Sequence, residues 1–323
     1  MSTFSDVTAI NASFLDGLEL LTQQKTARLR QAVTVERVTG ERQAFDMVGS
    51  SSLIEKTQSN VPVPVTETAR FRRWMQQRDY WNSERFDGFD QLRQHSDPTG
   101  RLAQAWAAGA NREWDRCAVS AALETNFVDK NGSTAVNLPE SQIIAHNNEG
   151  MTLEKVKKAV KRLRRIAPDR DDPITIFLTS EQEDELLNSQ IIGSNDYHAG
   201  RPLMDNALPY FAGAYFHVID DFLDLANPTS GLVDGSTGRF DPILPMRTED
   251  SLPLRSCFAV LRSGLIMGEL LPITTEINPA KDYGIHAQQL QVEMSVGGAR
   301  THESKVVRLD CVDYSPMEFG AAA

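Results

Sequence analysis

The sequence has few residues of the kinds that mark metal sites, disulfide frameworks or membrane spans. Its 323 residues include three cysteines, Cys117, Cys257 and Cys311, which are far apart and form no C-x-x-C pair. This spacing argues against a zinc site or a disulfide framework, and we expect all three to be small buried hydrophobic residues. No apolar run reaches the roughly 18 residues that a membrane span needs. The polar N-terminus lacks the order of a secretory signal, which predicts a chain that stays in the cytoplasm.

Catalytic signatures are also missing. The six histidines are scattered, with no pair at i, i+4. The sequence has no G-x-S-x-G elbow, no G-x-x-x-x-G-K-[ST] loop and no G-x-G-x-x-G after a predicted strand. Hydrolases, NTPases and dinucleotide-binding enzymes usually carry one of these motifs. We therefore predict no catalytic residue, no cofactor and no metal, and a protein that is not an enzyme.

One string resembles a metal motif. In Asp220-Asp221-Phe222-Leu223-Asp224, a D-D-x-x-D pattern on a helix could hold Mg²⁺ through carboxylates on one face. The string follows a predicted strand, however, and no second Asp-rich motif completes a cluster. A solvated strand end is the favoured interpretation, and a Mg²⁺-dependent cytosolic enzyme using Asp220, Asp221 and Asp224 is the alternative.

Basic residues are in deficit, and the deficit lies in one half of the chain. The net charge is −11, divided as +3 over residues 1–170 and −14 over residues 171–323. Nucleic-acid binding by counterion release needs a concentrated basic surface, so high-affinity DNA binding is not the primary prediction. One predicted helix does carry such a surface, formed by Lys155, Lys157, Lys158, Lys161, Arg162, Arg164 and Arg165. A solvated face or a subunit contact is favoured there over a face turned toward nucleic acid.

Hydrophobic periodicity predicts four helices. An N-terminal arm has Phe14, Leu15, Leu18 and Leu21 on one stripe. Asp97-Pro98 starts a long helix that runs to about Leu123, and its Ala- and Gly-rich stripe suits close packing on a sheet. Another helix starts near Thr152 and ends at Pro168, and a capping box at Ser180–Glu183 opens the last.

Alternating and apolar runs predict the strands. Residues 33–38 and 42–48 flank a Thr39-Gly40 turn and predict a hairpin, whereas residues 49–80, with Pro62 and Pro64, predict an exposed extended segment. Further strands are predicted at 174–178, 215–219 and 258–267, and residues 227–253 predict a surface loop that contacts neighbours. The runs 290–296 and 307–311, with a turn at Gly297-Gly298, predict a closing antiparallel hairpin.

This order of elements resembles the Hong Kong 97-like capsid fold of tailed double-stranded DNA bacteriophages. Several stretches are similar to a family of phage major capsid proteins over about residues 8–313. These stretches are Gln23-Gln24-Lys25, Leu29-Arg30, Val38-Thr39-Gly40-Glu41, Phe45-Asp46-Met47-Val48-Gly49, Asp97-Pro98-Thr99, Phe211-Ala212-Gly213-Ala214-Tyr215-Phe216 and Ser295-Val296-Gly297-Gly298-Ala299-Arg300. The segment from Leu225 to Pro253 is longer than the family pattern, which leaves its contacts open.

The resemblance implies an α+β fold in five parts. These are an N-terminal arm (1–38), an E-loop projection (39–82), a peripheral domain with a long spine helix (83–172), an axial domain (173–282), and return strands of the peripheral domain with the C-terminal tail (283–323). Because the chain begins directly with the arm, we expect no scaffolding extension and a separate scaffolding protein.

The implied function is assembly. Pentamers and hexamers of this chain would close an icosahedral shell in the host cytoplasm around packaged DNA, which would be held non-specifically, with a portal and possibly a decoration protein as partners and no membrane. An encapsulin-like nanocompartment shell, which encloses enzyme cargo, is the alternative with the same fold.

The interface candidates lie in the projection. Arg70, Arg72, Arg73, Trp74 and Arg78 could complement the acidic C-terminal half of a neighbour. Lys56 could form an isopeptide cross-link with a neighbour's Asn, such as Asn278 in a predicted loop, although an ordinary surface lysine is the favoured interpretation.

Overall fold

The computed structural model describes twelve stretches of the chain. They are residues 26–49, 51–57, 62–63, 65–86, 99–167, 171–188, 210–220, 222–223, 240–241, 243–249, 252–280 and 287–313. The predicted N-terminal helix, the Asp97-Pro98 helix start and Pro168 lie outside these residues. Within them, no helix is both long enough and apolar enough to cross a bilayer.

The described helices agree with the prediction. They are α1 (Thr99–Leu123), α2 (Leu153–Arg164) and α3 (Ser180–Leu187). The start of α2 agrees with the prediction of a helix that begins near Thr152. Thr152 is its N-cap, and the Thr152 hydroxyl accepts a hydrogen bond from the Lys155 amide at 3.4 Å. The capping box of α3 is shifted by one residue from the prediction, because Thr179 and Gln182 form it. The amide and the hydroxyl of Ser180 both donate hydrogen bonds to the carboxylate of Asp220.

Strands account for more of the described chain than helices do. They are β1 (Thr34–Arg37), β2 (Arg42–Val48), β3 (Arg70–Gln76), β4 (Arg78–Phe86), β5 (Asn126–Val128), β6 (Thr134–Val136), β7 (Ile143–Ile144), β8 (Ile174–Leu178), β9 (Tyr210–Phe211), β10 (Ala214–Val218), β11 (Phe222–Leu223), β12 (Phe240–Asp241), β13 (Met246–Glu249), β14 (Leu252–Leu261), β15 (Leu265–Pro279), β16 (Gln288–Arg300) and β17 (Val306–Val312).

The long helix α1 packs on a four-stranded sheet with the order β1-β15-β16-β4. Small side chains on its inner face, Ala118 and Ala121, are buried, as the Ala-rich stripe predicted. The predicted strand 258–267 is interrupted, because a 3₁₀ turn at Arg262–Gly264 separates β14 from β15. The two strands therefore belong to different sheets.

The predicted closing hairpin is wrong. Gly297 and Gly298 lie inside β16, which continues to Arg300, and β17 pairs with β14 in another sheet. A Cβ on Gly297 would lie 2.4 Å from the Gln76 carbonyl oxygen, and one on Gly298 would lie 2.7 Å from the Ala121 Cβ. The two glycines allow neighbouring elements to approach the strand closely, and they do not turn the chain.

The predicted N-terminal hairpin is also wrong in its pairing. β1 pairs in parallel with β15, whereas β2 pairs with β3 in a second four-stranded sheet, β2-β3-β5-β6. The exposed extended segment predicted for residues 49–80 therefore contains two regular strands at its C-terminal end. β3 lies in the interior of its sheet, between β2 and β5.

A larger sheet forms the main core. Its order is β7-β17-β14-β8-β10-β9, and β13 pairs with β14 as well. β8 is fully buried, as its apolar sequence predicted. The predicted loop 227–253 is partly sheet, since β13 is a strand and Ile243 and Leu244 are buried. This sheet joins β17 to strands of the predicted axial domain, so the predicted domain limits do not coincide with the sheets and remain a prediction.

Candidate assembly interface

The β2–β3 hairpin carries a long loop with apolar side chains open to solvent. The strands pair from Arg42 opposite Gln76 to Val48 opposite Arg70. We call residues 49–69 between them the projection loop. Its exposed large apolar residues are Leu53, Ile54, Val63 and Val65, at 102%, 63%, 88% and 94%. Single exposed apolar residues are ordinary, but several on one projection indicate a surface that contacts another protein.

The base of the hairpin is fixed to the body of the molecule. The guanidinium of Arg73 donates to the Thr301 carbonyl oxygen at 3.0 Å and forms a 2.6 Å ion pair with Glu303. The indole N–H of Trp74 donates to the Asp129 carbonyl oxygen at 2.7 Å. Met75 is fully buried. Three consecutive residues of β3 therefore hold the hairpin in place, and the projection loop extends from a fixed base.

Arg72 and Asp46 join the two strands on their solvent side. The guanidinium makes two hydrogen bonds to the carboxylate, at 2.6 and 2.7 Å. The hydrogen bond from Arg72 holds the pKa of the Asp46 carboxyl below its ordinary value of 3.8. Both side chains are exposed, so the pair contributes little to global stability and instead fixes the strand pairing locally.

The predicted interface residues do not form one exposed cluster. Lys56 and Arg70 are exposed in and beside the projection loop, and Arg78 is exposed on β4. Arg72, Arg73 and Trp74 have the intrachain partners described above. Asn278 is exposed, but it lies on β15 opposite Gln289 and not in the predicted loop.

In the acidic string 220–224, the described carboxylate, that of Asp220, binds the start of α3. Asp220 accepts hydrogen bonds from the amide and hydroxyl of Ser180, at 2.8 and 2.6 Å, and so caps α3. Phe222–Leu223 is a strand, so the helical geometry of a D-D-x-x-D site is not formed. Asp221 and Asp224 lie outside the described residues. Among the residues that the structure describes, no group of three His, Cys, Asp or Glu side chains could hold a metal.

One residue of the predicted basic face is buried. Lys155 is 2% exposed, and its ammonium donates to the carbonyl oxygens of His146, Glu149, Gly150 and Asp310, at 2.9, 2.8, 2.7 and 3.2 Å. It fastens the start of α2 to β17. The face was predicted to include Lys155, and this part of the prediction is wrong, because backbone oxygens replace water around the charge.

The predicted interface candidates do not include Leu53, Ile54, Val63 and Val65, although these residues lie in the segment that was predicted to be exposed and extended. The available signals were an apolar pair within the Ser-rich stretch and valines that alternate with Pro62 and Pro64. In an extended chain, alternating residues point to the same face. Val63 and Val65 could therefore have been recognised as one apolar face without an intrachain partner.

Solved structures place this architecture in one class. The chain superimposes on the cyanophage Pam1 capsid subunit with a TM-score of 0.67 and 11% identity, covering 97% of this chain and 99% of the other. For the capsid of Ralstonia phage GP4, the TM-score is 0.64 and the identity 12%, covering 95% and 96%. For the capsid of a native GTA particle, the values are 0.59 and 10%, with 94% of each chain covered. These likenesses show the Hong Kong 97-like capsid fold.

The sequence comparison identifies the family. The model of the phage capsid protein family matches residues 7–313, and the chain belongs to this family. A comparison with curated proteins found no match. The chain is therefore a capsid shell protein, a structural component of bacteriophage virions, and the family is not one of enzymes.

Proposed function

We propose that this chain is the major capsid protein of a tailed phage and assembles as pentamers and hexamers into an icosahedral shell around packaged double-stranded DNA. The observation that carries the proposal is the projection loop, which exposes Leu53, Ile54, Val63 and Val65 on a fixed base. In this arrangement, the loop of each copy lies on the peripheral domain of a neighbour. Identical chains in slightly different environments can close a shell by repeating such a contact.

Burial of the loop supplies part of the assembly free energy. Covering a large apolar side chain contributes about 1.5–3 kcal/mol before the entropy of association is subtracted. Because every copy is held by several neighbours at once, modest individual contacts are sufficient to stabilise the shell. The exposed cations Lys56, Arg70 and Arg78 then meet the acidic C-terminal half of a neighbour, and an acidic shell does not hold DNA so tightly that it hinders packaging.

The five parts named from the sequence have distinct roles in this proposal. The arm (1–38) and projection (39–82) contact neighbours, the spine-helix domain (83–172 with 283–323) forms the shell wall, and the axial domain (173–282) surrounds the capsomer axis. A separate scaffolding protein, a portal and possibly a decoration protein are the expected partners. Assembly takes place in the host cytoplasm, without a cofactor.

The first test is expression with and without a candidate scaffolding protein, followed by size-exclusion chromatography and negative-stain electron microscopy. Closed shells, or rings of five and six subunits, support the proposal. A monomer or small dimer under every condition contradicts it. Shells purified from infected cells should contain nuclease-protected DNA, whereas an enzyme cargo would instead indicate a nanocompartment.

The second test concerns the projection loop. Replacing Leu53 and Ile54 with serine should lower the yield of shells at least about tenfold while leaving thermal unfolding of the free subunit unchanged, because these side chains are exposed in it. Ile277→Ser, at an exposed apolar position on β15 and outside the projection loop, is the control. Equal yields from the loop variant and the control would exclude the loop as the contact.

A further inference from the structure

A groove between the first half of α1 and the outer strand β4 is lined by aromatic side chains. Its volume is about 350 Å³, and Tyr80, Trp81 and Trp106 line it from the two elements. Val292 and Met294, both buried, line it from the neighbouring strand β16. Trp81 is 75% exposed, and tryptophan is among the residues most enriched at the centres of protein contacts. The groove is therefore a candidate contact surface.

The groove has room for an occupant on its helix side. A Cβ at Gly109 would lie 3.6 Å from a guanidinium nitrogen of the flexible Arg112 side chain and within 4 Å of no other atom beyond its own turn of the helix. Among the residues that the structure describes, no acceptor pairs with the indole N–H of Trp81 or Trp106. The groove thus combines apolar surface with hydrogen-bond donors in its walls.

The projection loop contains a segment of matching chemistry. In the sequence, Pro62 and Pro64 alternate with Val63 and Val65, and both valines are exposed. Proline fixes its own φ at about −65° and restricts the residue before it to extended conformations, which favours a polyproline II helix. The carbonyl groups of such a helix have no internal hydrogen-bond partners. Aromatic-lined grooves recognise proline-rich segments of this kind.

The dimensions of the segment and the groove agree. The groove follows α1 from Ala105 to Glu113, which is about 12 Å at 1.5 Å per residue. Residues 62–65 in a polyproline II helix span about 9 Å at 3.1 Å per residue. We propose that the segment 62–65 of one copy lies in the groove between α1 and β4 of an adjacent copy. This inference rests on the proposed function and identifies the surface that receives the projection loop.

A second copy is the occupant that the molecule itself indicates. Every copy carries both the groove and the segment, so a head-to-tail contact uses one of each and can close a ring. Val63 and Val65 are exposed within one copy, so the groove of the same copy does not hold them. The prolines restrict the segment before contact, and the hairpin base is fixed, so little conformational freedom is lost when the segment is bound.

Gly109→Leu tests the groove. The free subunit should keep or raise its thermal stability, because the position is open and leucine is favoured over glycine in a helix. The larger side chain should fill the groove and lower the yield of shells at least about tenfold, as measured by sedimentation and electron microscopy. Gln104→Leu, at an exposed position of the same helix outside the groove, is the control and should assemble normally. Normal assembly of Gly109→Leu overturns the inference.

Cross-linking between copies tests the occupant. Chains that carry Val63→Cys are assembled with chains that carry Asn82→Cys, since Asn82 lines the groove, and the shells are treated with an added oxidant. The three wild-type cysteines are buried and should not react. A disulfide-linked dimer should appear on a non-reducing gel from shells but not from free subunits. Val65→Cys provides a second position for the same measurement. Lys130→Cys, exposed outside the projection loop, replaces Val63→Cys in the control and should give no dimer.

The outcomes separate this inference from the proposed function. A cross-link in shells, together with failed assembly of Gly109→Leu, supports the inference. Shells that form without a cross-link from either loop position overturn the inference alone. A link from Asn82→Cys only to a different protein in the shells assigns the groove to that protein and also overturns it. Wild-type chains that form no shells contradict the proposed function, and the inference fails with it.

Discussion

Arg300, near the end of β16, caps the carboxyl end of α1 by donating a 2.8 Å hydrogen bond to the carbonyl oxygen of Ala122. The same guanidinium donates to the carbonyl oxygens of Glu124 at 2.5 Å and Val136 at 3.1 Å. The side chain is fully buried, and burial lowers the pKa of Arg300 to about 10, so it remains charged at neutral pH. One cation thus ties the spine helix to two sheets.

Arg300→Met should lower the free energy of unfolding by about 3 kcal/mol, because three buried carbonyl oxygens lose their donor. Arg165→Met, at an exposed position, is the control and should change it by less than about 0.5 kcal/mol. Urea unfolding of the free subunit measures both values. Equal midpoints for the two variants would show that water replaces the guanidinium at the helix end.

Lys155 and Lys157 provide a second matched pair, two residues apart at the start of α2. Lys155→Met should cost about 3 kcal/mol of stability, since four carbonyl oxygens around its ammonium would be left without a donor. Lys157→Met should be nearly neutral because that side chain is exposed. The difference is measurable by thermal unfolding. Similar stabilities would mean that the loop 146–150 can turn its carbonyl groups toward water at little cost.

This pair also shows how much of the fold could be predicted. The period of the apolar residues in α2 located the helix and its start near Thr152, because both depend on local sequence. Nothing in the local sequence distinguishes Lys155 from Lys157. Lys155 is buried because the loop 146–150 and β17 pack around it, whereas Lys157 remains exposed. Contacts between distant segments are not encoded in a local pattern.

The same reason explains the errors at the glycines and the candidate interface. Gly297-Gly298 has the composition of a turn, yet Gln76 and Ala121, remote in sequence, decide that the strand continues. Arg73 was grouped with exposed cations by composition, but Glu303 makes it an internal ion pair. Arg70 and Arg78 are exposed, as predicted, because no distant segment of the described chain covers them.

Gly297→Ala should destabilise the subunit by about 2 kcal/mol or more, because its methyl group would lie 2.4 Å from the Gln76 carbonyl oxygen. Gly109→Ala should act in the opposite direction. The nearest atom to its Cβ, at 3.6 Å, belongs to the flexible Arg112 side chain, and alanine in a helix interior is favoured over glycine by about 0.5–1 kcal/mol. Thermal unfolding of both variants shows whether each substitution raises or lowers the stability of the subunit. Destabilisation by Gly109→Ala would show that α1 is more tightly packed at that turn than its surroundings indicate.

The three cysteines should resist thiol reagents in the folded subunit. All three are free and buried, as the sequence predicted. Burial raises the pKa of the Cys117 thiol to about 11, and a hydrogen bond with Cys311, together with burial, raises the pKa of Cys257. The thiolate is the reactive form, so at pH 8 the native chain should react at least about a hundredfold more slowly than a free thiol. All three groups should react in urea. Since the folded pKa of Cys117 lies above its ordinary value of 9.0, the stability gained by keeping this thiol neutral is present below pH 9 and is lost as the pH rises through about 11. Ser51→Cys, in the exposed projection loop, supplies an accessible thiol as the positive control. Rapid modification of the unaltered native chain at pH 8 would mean that the sheet around these residues opens readily, which is incompatible with the closed core described above.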